Sequence, residues 1–195
     1  AFKPREIFVS VEKLKSLGYG EDVYGKPLED EDQILELKPH DILLSSSPAS
    51  PDERADDVFT RVASFVDDEL EKFYHLEKFH NIKRREDLVG QIGVCMAPHN
   101  CAGVICRFIG FTHAQGILAS PYMHAAIRRD CDGDEAAIML LSDVLLNFSM
   151  KFLPSHRGGT QDAPLVLNAK IDAGEVDEQI LDFEIATSYP LELYE

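Results

Sequence analysis

Positive charge is what this chain has least of. Its 195 residues carry 19 Lys and Arg against 35 Asp and Glu, a formal net charge of −16 with the histidines neutral. Binding along nucleic acid needs basic patches that release counterions from phosphate, so a generally nucleic-acid-coating surface is excluded. The four cysteines, Cys95, Cys101, Cys106 and Cys131, contain no C-x-x-C pair. That argues against a structural zinc site and against a disulfide framework, and leaves free thiols in a reducing cytosol. Uninterrupted apolar stretches are missing as well. Two runs lack formal charge, Leu88 to Cys106 and Phe108 to Ile127, but both are broken by Gly, Pro, His, Asn or Gln and read as buried strands, not membrane spans. No signal-peptide pattern is present. The expectation is a cytoplasmic protein with no membrane partner. The closing stretch, Tyr189 to Glu195, carries no helix or strand stop signal, which suggests a piece of a longer chain.

What is there can build a core. At 45% hydrophobic the chain is long enough for one domain or one and a half. Charge is unevenly spread: from Ala97 to Lys170 six Lys/Arg face six Asp/Glu, and four of the seven histidines lie there, so the acidic excess sits outside this middle segment. Ser10 to Leu17 reads as a short helix with Ser10 as N-cap and Gly18 as terminator. Ile34 to Leu37 and Ile42 to Leu44 read as short strands. Ser50-Pro51-Asp52-Glu53 is a capping box that predicts a long helix over 51–74, with Val58, Val62, Phe65, Val66, Leu70 and Phe73 buried and Asp67, Asp68, Glu69, Glu71 and Lys72 in solvent. A short helix at Ile82 to Leu88 is closed by Gly90. From Gln91 the texture turns to strands: Ile92 to Met96, Gly103 to Phe111, Gly116 to Ala119, and Tyr122 to Arg129. Several short strands so closely spaced suggest a small barrel or sandwich. A long, mostly buried helix is predicted over 135–153, and further strands at Pro164 to Lys170 and Ile180 to Ile185.

The stretch Arg128-Arg129-Asp130-Cys131-Asp132-Gly133-Asp134-Glu135 places four acids behind two arginines. On an extended segment Asp130 and Asp132 point to one face about 6.6 to 7 Å apart, and Gly133 allows a turn that swings Asp134 towards them. Two charges about 6 Å apart repel by roughly 2.8 kcal/mol at an effective dielectric of 20. A hard divalent cation relieves that cost, and Mg²⁺ binds through carboxylates, waters and substrate phosphates. Asp132 and Asp134 are the candidate metal ligands, with Asp130 a third ligand or supporting acid. Arg128 and Arg129 are candidate phosphate contacts through the guanidinium fork. His99, His124 and Arg157, the last in the basic loop Ser155 to Thr160, either reach substrate or serve structure; Glu135 either caps or ligates. Other readings stay open, among them a noncatalytic barrel that binds a protein or nucleic-acid partner and carries the acidic turn as a surface feature. An acidic turn complements the dipole of a following helix. An Asp-x-Asp phosphotransferase would use Asp130 as nucleophile, although Arg128 and Arg129 stand where a hydrophobic strand is expected. A calcium-binding EF-hand loop fails, because Glu135 and Leu141 occupy the positions that need Gly and Glu.

Four stretches resemble a known family: Met96-Ala97-Pro98-His99-Asn100 to Gly103, Phe108-Ile109-Gly110-Phe111-Thr112, Pro121 to Glu135, and Leu146-Asn147-Phe148-Ser149 through Arg157-Gly158-Gly159 to Leu167. With the opening Phe2 to Ile7 and the closing Tyr189 to Glu192, they are similar across the whole chain to the large subunit of archaeal family-D DNA polymerase. The resemblance implies an α+β fold with a double-psi β-barrel-like core, the second catalytic barrel of a two-barrel polymerase, and long packing helices. It implies a division into residues 1–90, a helical and irregular portion, and 91–195, the barrel portion. It further implies nucleotidyl transfer from a dNTP to a primer 3′-OH by a two-metal mechanism, with two Mg²⁺ ions or Mn²⁺ in their place. Asp132 and Asp134 match the catalytic metal-binding aspartates. Asp130 stands where the family usually has Asn, and Ala136 where an acid is expected. The implied partners are primer-template DNA, the remainder of the large subunit with its first barrel, and a small exonuclease subunit. A fragment lacking those parts is expected to be inactive alone.

Overall fold

The computed structural model describes residues 1–98, 100, 102–130, 132–147 and 166–171. In chain order its regular elements are α1 (Val11–Ser16), β1 (Asp41–Ser45), α2 (Ala55–Lys72), β2 (Ile92–Met96), β3 (Ala102–Thr112), β4 (Leu118–Ala119), α3 (Pro121–Ile127), β5 (Ala137–Leu140), α4 (Leu141–Asn147) and β6 (Val166–Asn168). The fold is α+β, organised on one sheet of six strands in the order β4-β1-β3-β2-β5, with β6 also on β3. Among the described residues this path ends at β4 and β5 and does not close into a barrel.

β3 is the spine. Phe108 and Ile109 are both fully buried, at the point where Ile109 is the extra residue in the pairing with β1. β2 runs antiparallel along residues 104–107, while β1 runs parallel along 107–112 and β6 parallel along 102–104 on the other edge. Asp41 lies directly opposite Arg107 in this register. The guanidinium donates to both carboxylate oxygens at 2.8 and 2.7 Å, and the Tyr19 hydroxyl donates to the same carboxylate at 2.5 Å. Burial, reinforced by that bond to an anion, pushes the Tyr19 phenol well above its ordinary range. The trio ties the N-terminal segment to β1 and β1 to the spine.

α2 packs on the sheet through Phe59, whose ring centre lies 4.9 Å from that of Phe108. Its buried face is Asp56, Phe59, Ala63, Val66 and Asp67, which differs from the expected stripe. Phe65 and Phe73 are 58% and 72% exposed. The face rotates because two acids are buried with partners: Asp56 accepts from Ser46 Oγ at 2.6 Å and lies 3.6 Å from the Arg54 guanidinium, and Asp67 accepts the N–H groups of Phe79, His80 and Asn81 at 2.7 to 3.0 Å. Asp67, expected in solvent, thereby fixes the loop that follows the helix. His80 extends the tie, contacting Gln91 at 2.9 Å and Ser142 at 2.7 Å. The expected capping box at Ser50 is not used, since the helix spans Ala55–Lys72 with Arg54 as N-cap, and Ser50 Oγ accepts from Asp52 within a turn.

Three further expectations change. Residues 34–37 make no strand; Leu35 forms a single antiparallel bridge with Phe2. Residues 122–127 lie in α3 instead of a strand, and Arg128 and Arg129 turn off its end. The expected helix over 135–153 divides into β5 and α4, because Ala137 to Leu140 find an open edge on β2, pairing Met96 with Ala137 and Gly93 with Leu140. Gly93 permits that approach: a Cβ there would lie 2.6 Å from the Phe108 ring and 2.9 Å from the Met139 carbonyl. Residues 148–153, the basic loop at 155–160 and the expected strand at 180–185 lie outside the described residues.

Candidate metal centre

The acidic loop hangs between α3 and β5, and both ends are pinned. α3 begins with Ser120, whose Oγ accepts from the Met123 N–H at 3.3 Å, and Pro121 opens its first turn. It ends on Arg128, which adopts the left-handed conformation with φ 55° and ψ 49°. A non-glycine residue pays about 1 to 2 kcal/mol there. The Arg129 N–H returns to the His124 carbonyl at 3.0 Å, so the chain turns sharply off the helix into Asp130. At the other end the pairing of β5 on β2 holds Ala137 against Met96.

Between these anchors Gly133 takes φ +115°, and nothing lies within 4 Å of where its Cβ would be. The glycine is required by the backbone turn, not by crowding. The turn brings Asp134 back so that its carboxylate accepts the Asp130 N–H at 3.3 Å. Asp130, Asp132 and Asp134 each present a carboxylate oxygen, and these oxygens all lie within 4.8 Å of one another. Asp130 is half-buried; Asp132 and Asp134 are exposed. Like charges this close repel by about 3 kcal/mol per pair at an effective dielectric of 20, less where water screens them. Oxygen-only donors in this arrangement fit a hard divalent cation.

The flanking residues take distinct places. Arg129 stays beside the cluster, its guanidinium 3.6 Å from Asp134 and bonded to the Arg128 carbonyl at 2.7 Å. Arg128 is exposed. His124 is buried in α3, 9% exposed, beneath the loop. Burial holds its ring below the usual imidazole range, against the backbone of Arg129 and the charge of Asp130. It supports the loop from within and does not face solvent. Glu135 is exposed and precedes a strand, so it caps no helix. His99 and Arg157 lie outside the described residues.

A cleft of about 650 Å³ borders the loop, with Ala136 and Ile138 on one wall, Arg54 and Phe59 of α2 on another, and Gln115 at the rim. Sequence reasoning placed Arg54 and Phe59 in the 51–74 helix and Ile138 in the buried stripe of the 135–153 helix, and assigned none of them to a cleft. No local pattern marks them, because the cleft is made where segments distant in the chain meet.

Residues 1–195 match throughout the family described as DNA polymerase II large subunit DP2, catalytic domain. The chain belongs to this family. The DNA polymerase II large subunits of Methanothermobacter thermautotrophicus, Pyrococcus furiosus and Archaeoglobus fulgidus are each 53% identical to it over 194 residues. Each alignment covers 100% of this chain but only 17%, 15% and 16% of those proteins. This DP2 catalytic-domain chain therefore spans about one-sixth of the length of the curated relatives it matches.

Proposed function

We propose that this chain carries the metal-binding acidic loop of a DNA-directed DNA polymerase and acts as part of a larger subunit. The observation that carries the reading is the convergence of three carboxylates within 4.8 Å on a loop held at both ends, behind two arginines. Asp132 and Asp134 hold the catalytic cations, with Asp130 as third ligand or supporting acid. Two bound Mg²⁺ ions, or Mn²⁺, would supply charge neutralisation and an in-line template for the 3′-oxygen and the leaving pyrophosphate. The chain's own part is positional: the clamped loop presents its oxygens without reorganisation, and Arg128 and Arg129 meet phosphate. His99 and Arg157 are proposed substrate contacts. His124 was expected among them; its burial favours holding the loop.

The remaining parts of the reading follow from family membership. We infer a double-psi barrel completed by residues beyond those described, with 1–90 bracing and 91–195 bearing the site. The substrates are a primer-template and a dNTP; the partners are the remainder of the large subunit with its first barrel and a small exonuclease subunit, without which the chain is inactive. Nothing in the geometry favours the phosphotransferase alternative, since Asp130 follows helix α3 and not the end of a strand.

The test is Asp132→Asn and Asp134→Asn in the assembled polymerase, reading primer extension, DNA affinity and Mn²⁺ binding. Synthesis and metal binding should be lost while DNA affinity persists. Normal extension in either variant sinks the reading. Retained Mn²⁺ binding in both would move the metal elsewhere.

A further inference from the structure

Residues 7 to 9 lie against β3 with Ile7 and Val9 buried and Phe8, between them, 45% exposed. Phe8 takes φ +57°, a left-handed conformation that is an outlier for a bulky residue. Its buried neighbours hold it there: Ile7 packs so closely over Gly110 that a Cβ on that glycine would come within 3.0 Å of it. A glycine would satisfy this backbone better than phenylalanine, so the ring is not explained by the turn. Nor is it core. Two flat, hydrogen-bonding groups lie against it: the His113 ring, centre 5.0 Å away and tilted 43° to the phenyl plane, and the Arg85 guanidinium, over the ring 5.0 Å from its centroid. His113 is exposed, and stands two residues from Gln115 at the rim of the cleft that Ala136 walls.

The segment that brings Arg85 to Phe8 carries more cations, in a chain that has few. Lys83, Arg84 and Arg85 are consecutive, and the Arg84 side chain is 75% exposed. The Lys83 and Arg84 N–H groups both bond the Asp87 carboxylate at 3.0 Å, which fixes the run at the head of the turn Arg85–Leu88. Lys13 reaches the other end of that turn, its ammonium 3.8 Å from the Cβ position of Gly90. Acids share the neighbourhood: Glu86 lies 3.2 Å from Arg85 and 4.0 Å from Arg84, Asp87 is engaged by the two N–H groups, and exposed Glu12 and Glu6 stand just before Lys13 and Phe8 in sequence. Among the described residues neither Lys13 nor Lys83 makes an ion pair.

We propose that Phe8, His113 and Arg85 form a stacking platform for single-stranded DNA, rimmed by Lys13, Lys83 and Arg84. Planar groups backed by an aromatic ring and edged by cations fit unpaired bases on a phosphate backbone, with little sequence preference. Duplex offers no free base faces. The proposal rests on the polymerase reading, which makes a single-stranded template overhang the ligand at hand.

The experiment uses the complete large subunit with its small subunit, carrying Phe8→Gly or the pair Lys83→Gln and Arg84→Gln. Phe8→Gly removes the ring while easing the backbone. Affinity is measured for a primer-template with a long 5′ single-stranded overhang and for the same duplex blunt. Phe8→Gly should cost about tenfold on the overhang substrate and nothing on the blunt one. The double variant should lessen the salt slope for the overhang by about 1.4. Unchanged overhang affinity in folded variants overturns the platform, as does an equal loss on both substrates. Loss of small-subunit association with overhang binding intact also overturns it and marks a protein contact. Because the readout is binding, it stands apart from the synthesis assay on Asp132→Asn: either can fail without the other.

Discussion

Two sets of aspartates in this molecule are handled in opposite ways. Asp41, Asp56 and Asp67 are buried, 2 to 5% exposed, and each is surrounded by donors: a guanidinium and a phenol, a serine hydroxyl, and three backbone N–H groups. Asp130, Asp132 and Asp134 lie at the surface and face one another within 4.8 Å. The first set spends its charge holding segments together, since a buried carboxylate is tolerated only when its oxygens are bonded. The second set holds its charge in one place, which costs stability and suits a cation. Burial with donors marks a brace; convergence near water is what the proposed metal site needs.

The widest break in that comparison comes from neutralising one member of each set. In the assembled polymerase, Asp134→Asn should lower primer extension on the order of a thousandfold with the melting temperature held or raised, since a repulsion is relieved. A large fall in melting temperature would place Asp134 with the braces. Asp67→Ala should do the reverse, destabilising by about 3 kcal/mol because three N–H groups lose their acceptor, read by denaturant unfolding; a neutral result would mean water replaces the carboxylate. Asp41→Ala sits close behind at about 2 to 3 kcal/mol, since Arg107 is left half-buried without its partner but keeps some access to water.

Smaller effects sharpen the boundary between the sets. Arg128→Gly should raise stability by about 1 kcal/mol by removing the left-handed strain, while weakening DNA binding; a gain without that loss would free Arg128 from the site. His124 adds a pH signature. Its folded pKa lies below its unfolded value of about 6.5, so the unfolded chain takes up the proton first and the contribution of the neutral ring is complete above that pH. Stability should decline as pH falls from about 6.5 towards the folded value. His124→Asn should flatten this part of the profile in melts across the window, and an unchanged profile would locate the slope in another group.

Much of the frame was readable before any coordinates. Ser10 caps α1, Gly18 ends it, and β1, β2 and β3 lie within a residue or two of their apolar runs, because short patterns next to strong punctuation leave few alternatives. α3 was read as a strand, although Ser120-Pro121, an N-cap followed by a proline at the first helical position, is a local helix-start signal that could have found it. β5 carries no such signal. Ala137 to Leu140 continues smoothly into the helical pattern of α4, and only the free edge of β2 divides the two. The rotation of α2 was equally hidden, since the donors that let Asp56 and Asp67 turn inward come from Ser46 and from residues 79–81.

By itself the sequence determined the chemistry available at the site: three carboxylates at alternate positions, a glycine able to take φ +115°, and arginines ahead of them, all set by local covalent geometry. The tertiary structure decided whether those groups meet. It does so by turning the chain off α3 at Arg128 and docking β5 on β2, contacts whose energy comes from pairing and burial across the fold and is not encoded at any one residue.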